Sequence, residues 1–206
     1  MPFEHPLILG FDTSAAHCAA ALLSGDRIVS VTVEQMATGQ AERLMVLLGD
    51  LLSAANVGWS DLNAIGVGTG PGNFTGIRIS VSAARGLSLG LGIPAVGVSS
   101  FEASVYNAKL PVTALVPAPR DQVYRQDFTS IGKQAPLVQP RHTALTEAGT
   151  FGHTVVDLPV PDQLVCNIAR LAAQTWQDET IPPAPLYVRA ADAAPPRDAP
   201  PVMLDL

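Results

Sequence analysis

Asp12 is the acidic side chain best placed for chemistry. It closes the apolar run Leu7-Ile8-Leu9-Gly10-Phe11 and is followed by two hydroxyls, Thr13 and Ser14. Asp, Ser and Thr at a strand exit also make routine turns, because their side chains bond nearby backbone. The histidines, His5, His17, His142 and His153, stand too far apart to form a His-x-x-x-His pair on a helix. They read as surface or hairpin side chains. Neither Cys-x-x-Cys nor His-Glu-x-x-His occurs, so those zinc-site spacings are missing. Cys18, followed by Ala19-Ala20-Ala21, reads as a small core residue. No catalytic residue and no metal ligand is assigned.

The stretch Gly68-Thr69-Gly70-Pro71-Gly72-Asn73-Phe74-Thr75-Gly76-Ile77-Arg78 joins a strand to a helix start. Backbone N–H groups at such a junction can hold an anion. The lysine and spacing of a phosphate loop are missing, as is the dinucleotide fingerprint with its trailing acid. A structural turn is the reading; an anion site is the alternative. Phe74 reads as a packing anchor, within the lobe or across an interface.

The elements that position these residues follow from periodicity. A buried strand covers 7–11, and segments 17–23 and 27–33 form a hairpin around Ser24-Gly25-Asp26. Helical spacing of Leu44, Leu47, Leu48, Leu51 and Ala55 predicts a helix over 40–56. A strand at 64–69, a helix from about 75 to 91, a strand at 94–98 and a helix from Ser99 or Ser100 complete the order βββαβαβα, which favours a mixed sheet covered by helices. Beyond Leu110-Pro111 come strands at 112–117 and 122–129. The interval 130–161 is weakly patterned and receives no element. A helix covers 163–177, and a proline-rich tail ends the chain. Two lobes are expected, 1–108 and 109–206, the second smaller.

The two early helices carry too little charge for ordinary surface helices. Between Leu62 and Ser100 the only charged side chains are Arg78 and Arg85, and beyond Arg43 the first helix has only Asp50. One face of each helix can cover the sheet; a second apolar face needs another cover. That cover is either the second lobe or a partner protein, for which about 800 Å² per side is the usual scale. The candidate interface residues are Leu44, Leu47, Leu48 and Leu51 on the first helix and Phe74, Ile77, Arg78, Val81 and Arg85 on the second.

Composition narrows the classes. Of 206 residues, 48% are hydrophobic and 15% charged, against about 25% charged in an average domain. Intrinsic disorder needs the opposite balance. No apolar run approaches the roughly 20 residues of a membrane span. The 12 basic and 18 acidic side chains leave a net charge of −6, so nucleic acid is expected only through a partner's charge. Two cysteines make no disulfide framework, and a reduced, cytoplasmic setting is expected.

Four segments together resemble the TsaB (YeaZ) family: Phe11-Asp12-Thr13-Ser14, Gly70 to Ile79, Ile93 to Ser100, and Pro185-Leu186-Tyr187-Val188-Arg189. A further patch is Asp121-Gln122-Val123-Tyr124. The resemblance implies a two-lobed actin-like α/β fold (ASKHA, ribonuclease H-like) with mixed sheets. It implies a non-catalytic scaffold that pairs with a TsaD-like subunit, with a TsaE-like ATPase, for threonylcarbamoylation of the tRNA adenosine beside the anticodon. ATP then belongs to the complex. Pairing through the first two helices, as heterodimer or homodimer, is part of that implication. So is a nucleotide contact by Asp12 and Thr13, since an acid at the first strand end of this fold commonly orients a metal-bound phosphate. Two departures are visible: Gln40 stands where many members carry a histidine, and Ala118-Pro119-Arg120 replaces the usual Asp-Ala-Arg. The competing expectations are a stand-alone nucleotide hydrolase or metallopeptidase of the same superfamily, and a self-associating binding module.

Overall fold

The computed structural model describes residues 4–188. Met1-Pro2-Phe3 and the tail from Arg189 onward lie outside the described residues. Strands β1 (Leu7–Asp12), β2 (His17–Ser24), β3 (Arg27–Gln35), β4 (Ala64–Gly68) and β5 (Ala95–Val98) form the first sheet, in the order β3-β2-β1-β4-β5. β2 runs antiparallel to β1, while β4 is parallel to β1 and β5 to β4. All six residues of β1 are buried, because helices cover both faces of the sheet. That double cover is why the strand reads as an unbroken apolar run.

On one face lie α1 (Gln40–Ala54) and α2 (Phe74–Leu91). Leu7, Leu9 and Phe11 meet Leu44, Leu47, Leu48 and Leu51 in one core cluster. Asn73 caps α2 by accepting a hydrogen bond from the Gly76 N–H at 2.9 Å. Gly92, at φ 68°, ends it in the left-handed conformation that glycine adopts without strain. The short α3 (Ser100–Ser104) carries a capping box between Ser99 and Glu102.

The second sheet contains β6 (Val112–Ala118), β7 (Gln122–Thr129), β8 (Gly132–Lys133), β9 (Leu137–Pro140) and β10 (Thr154–Asp157). Its order is β10-β6-β7-β8, with β9 also pairing with β7. Helix α4 (Arg141–Thr150) packs on it. The buried Arg125 guanidinium there donates to Asp127 Oδ1 at 2.9 Å and Oδ2 at 2.7 Å, and to Glu147. The interval 130–161 thus holds three short strands and a helix that the sequence pattern left unassigned. α4 buries only Ala144 and Ala148, so it has no apolar stripe to betray it.

Helix α5 (Pro161–Thr175) corrects a simple division of the chain after Ala108. It crosses back to cover the free face of the first sheet, packing Leu164, Ile168 and Ala169 against Ile8 and Ala64. A Cβ on Gly10 would lie 2.8 Å from that of Ala169, and one on Gly66 2.8 Å from that of Ala172. The bare glycine backbone therefore sets how closely the helix approaches the sheet.

Candidate functional site

The end of β1 is a packed joint. Asp12 is fully buried, and its Oδ2 accepts from the Ser14 N–H and Ser14 hydroxyl, both at 2.9 Å. A third donor is His17 Nε2 at 2.8 Å. A carboxylate only accepts, so the imidazole carries its proton on Nε2. Asp12 Oδ1 is buried without a hydrogen-bond partner. The Thr13 hydroxyl donates to the Gly76 carbonyl at 2.6 Å. His17, expected as a surface or hairpin side chain, opens β2 of the β2–β3 hairpin and is only 3% exposed. The signal for this pairing was spacing across a tight strand-to-strand turn, which no helical motif search would find.

The glycine-rich turn closes onto this joint. A Cβ on Gly68 would collide with Asp12 Oδ1, on Gly72 with the Ser14 carbonyl, and on Gly76 with the Thr13 carbonyl. The Asn73 N–H donates to Ser14 O at 2.6 Å, and the Ser100 N–H to Gly70 O at 2.7 Å. The turn is thus committed to packing, and Asp12 and Thr13 have no side-chain surface open to a nucleotide. Their combined burial and bonding make them structural in this arrangement.

The nine expected interface residues divide. Leu44, Leu47, Leu48, Leu51, Ile77 and Val81 are all buried in the chain's own core, which corrects their placement on a partner surface. Helices that are apolar all round hide which face looks inward. The faces that look outward carry Met45 and Val46 on α1, and Phe74, Arg78, Arg85 and Leu89 on α2. Around Gly49, Gly86 and Gly90 a Cβ would meet nothing within 4 Å, so backbone lies open to a neighbour. Leu89 is 87% exposed. Among the described residues the C-terminal part of the chain reaches these faces only through the strap of residues 179–187, which lies along one side of α2; α5 covers the opposite side of the sheet.

Phe74, Arg78 and Tyr187 form one exposed cluster. The Arg78 guanidinium carbon lies 3.8 Å from the Phe74 ring centroid, and Arg78 Nε donates to the Tyr187 hydroxyl at 2.9 Å. Gly86-Leu87-Ser88-Leu89-Gly90 spells the Gly-x-Ser-x-Gly of nucleophile elbows, yet it lies inside α2. That motif requires a strand-to-helix turn, and the Ser88 hydroxyl instead donates to Ile93 O at 2.6 Å.

Between the sheets lies a cleft of about 640 Å³, walled by Ser99, Glu102, Gln126 and Lys133 and by the extended strap of residues 179–186. The Leu186 N–H bonds Thr69 O at 2.8 Å. Burial opposes ionisation of Glu102, but Lys133 at 2.7 Å and the Ser99 donors outweigh it and hold the carboxyl below its usual range. Burial pushes the Cys18 thiol up to about 11, with Glu34 adding to the effect, which fits an inert core thiol. Among the described residues, no three His, Cys, Asp or Glu side chains gather to hold a metal, and no helix is long and apolar enough to cross a membrane.

Residues 31–192 match the family described as TsaD, tRNA N6-adenosine threonylcarbamoyltransferase. The chain is 32% identical over 126 residues to the Escherichia coli tRNA threonylcarbamoyladenosine biosynthesis protein TsaB, covering 59% of this chain. It is 31% identical over 202 residues to an uncharacterised protein of Mycobacterium leprae. The chain spans about half the length of these two curated relatives, 54% and 56%. An uncharacterised Mycobacterium tuberculosis protein is 32% identical over 91% of this chain and 94% of its own length. Among solved structures, a Pseudomonas aeruginosa protein described as similar to peptidase YEAZ superposes with a TM-score of 0.69 at 26% identity, covering 89% of this chain and all of that one. The actin-like, ribonuclease H-like α/β fold expected from the sequence is the fold found. The chain belongs to the TsaB (YeaZ) family.

Proposed function

We propose that this protein is a non-catalytic scaffold subunit of a cytoplasmic tRNA threonylcarbamoylation complex. It pairs with a TsaD-like subunit, a TsaE-like ATPase joins them, and tRNA is met only through the assembly. The observation that carries this reading is the outward surface of α1 and α2. It exposes Met45, Val46, Phe74 and Leu89 beside open glycine backbone, and among the described residues only the strap 179–187 lies against it. Contiguous apolar surface of this kind marks interaction sites. The burial of Asp12 and Thr13 inside a packed joint supports a structural rather than a chemical role for the strand end.

Light scattering on the chain mixed with the TsaD homologue of the same organism tests it. A stable one-to-one complex is expected. Met45→Glu and Leu89→Glu should abolish it while leaving the melting curve of the free chain unchanged, because both side chains are exposed. Leu48→Glu should instead unfold the chain, since it buries an unpaired charge in the core. Absence of any complex with the unaltered chain would reject the scaffold reading. ATP turnover or peptide cleavage by the chain alone would favour the stand-alone enzyme.

A further inference from the structure

Arg78 is held in place before any partner arrives. Its planar group rests on the Phe74 ring, its Nε is committed to the Tyr187 hydroxyl, and the two rings pack at 5.1 Å between centroids. The two terminal nitrogens, Nη1 and Nη2, make no hydrogen bond or ion pair among the described residues. They form the edge that a carboxylate meets with two parallel hydrogen bonds. Pinning a long side chain in advance removes much of the ordering cost of binding.

Arg85 follows seven residues later, about 10 Å along the helix. It also lacks an ion pair among the described residues, and it walls a groove of about 530 Å³ with Leu89 and Ile181. The facing acid, Glu179, already accepts the Ile181 N–H at 2.8 Å. α2 itself holds no acidic residue. On a chain of net charge −6, two cations without an ion pair among the described residues, on one otherwise uncharged helix, are a local reversal of sign.

Resting on the scaffold reading above, we propose that Arg78, presented by Phe74 and Tyr187, is the carboxylate anchor of the partner interface. Arg85 is its second point. The partner subunit contributes an element with carboxylates about 10 Å apart, two helical turns, and an apolar side chain that enters the groove between Leu89 and Ile181. Tyr187 comes from the C-terminal strap rather than from α2, so the surface is composite. Protein is favoured over RNA as occupant because bound phosphates need many cations, and this face offers two.

The test is calorimetric titration of the TsaD homologue into the full chain and its variants. Arg78→Gln should weaken binding about 10-fold and Arg78→Glu about 100-fold or more, the scale of an interface hot spot. Tyr187→Phe keeps the ring and removes only the hydroxyl that orients Arg78; about a 3-fold loss is expected. The salt dependence of affinity should be shallower for Arg78→Gln than for the unaltered chain. Equal affinity, within twofold, for the unaltered chain, Arg78→Glu and Tyr187→Phe overturns the anchor while leaving the scaffold reading intact. Loss of self-association in Arg78→Glu with unchanged partner affinity assigns the anchor to a second copy and overturns it too. Loss of tRNA binding with unchanged partner affinity does the same in favour of RNA. Failure of the unaltered chain to bind rejects the scaffold reading and this inference together.

Discussion

The imidazole of His17 donates from Nε2 to Asp12 Oδ2 at 2.8 Å, with both side chains sealed from solvent. This bond ties the end of β1 to the start of β2 across the turn that receives the glycine-rich segment. It completes a set of three donors on one carboxylate oxygen. A buried carboxylate keeps its place only when such donors replace the water it has lost.

Removing the imidazole should therefore be felt as lost stability. His17→Ala is expected to lower the unfolding free energy by about 1–3 kcal/mol, the range for leaving a buried polar group short of a partner. Urea denaturation monitored by fluorescence measures it. The double variant Asp12→Asn with His17→Ala should lose less than the two single losses added together, because the two residues share one interaction.

A buried and an exposed glycine of the same helix should respond oppositely. Gly76→Ala drives a Cβ into the Thr13 carbonyl, and a backbone atom has little room to retreat. Overpacking of this kind costs about 1–3 kcal/mol. Gly86 has open space around it and sits mid-helix, so Gly86→Ala should raise stability by about 0.5–1 kcal/mol. The same methyl group stands in the outward face, and partner affinity should fall. Paired melting and titration experiments check both signs.

Acid should weaken the protein partly through Glu102. Its carboxyl is held below the usual range in the folded chain, so the unfolded chain takes up the proton first as pH falls. The contribution is present above the ordinary carboxylate pKa and is lost as pH drops through it towards the folded value. Stability measured from about pH 6 down to about pH 3 should therefore fall less steeply in Glu102→Gln than in the unaltered chain. Lys133→Ala should shift in the same direction by less, because Lys133 is exposed and screened.

What the sequence determined by itself was local. The apolar run of β1, the hairpin after it, and two helices, expected over 40–56 and about 75–91 and found at Gln40–Ala54 and Phe74–Leu91, are legible because short-range periodicity and turn residues specify them. The shortage of charge on both helices was equally plain. Which side of each helix turned inward was not. Leu48 and Val46 are both aliphatic, and only the sheet beneath decides that Leu48 is sealed and Val46 exposed. Tertiary structure alone returned α5 to the first sheet, paired His17 with Asp12, and set Tyr187 on Arg78 across 109 residues of chain. Contacts at that separation depend on how whole elements stack, and no pattern within a window of a few turns encodes them.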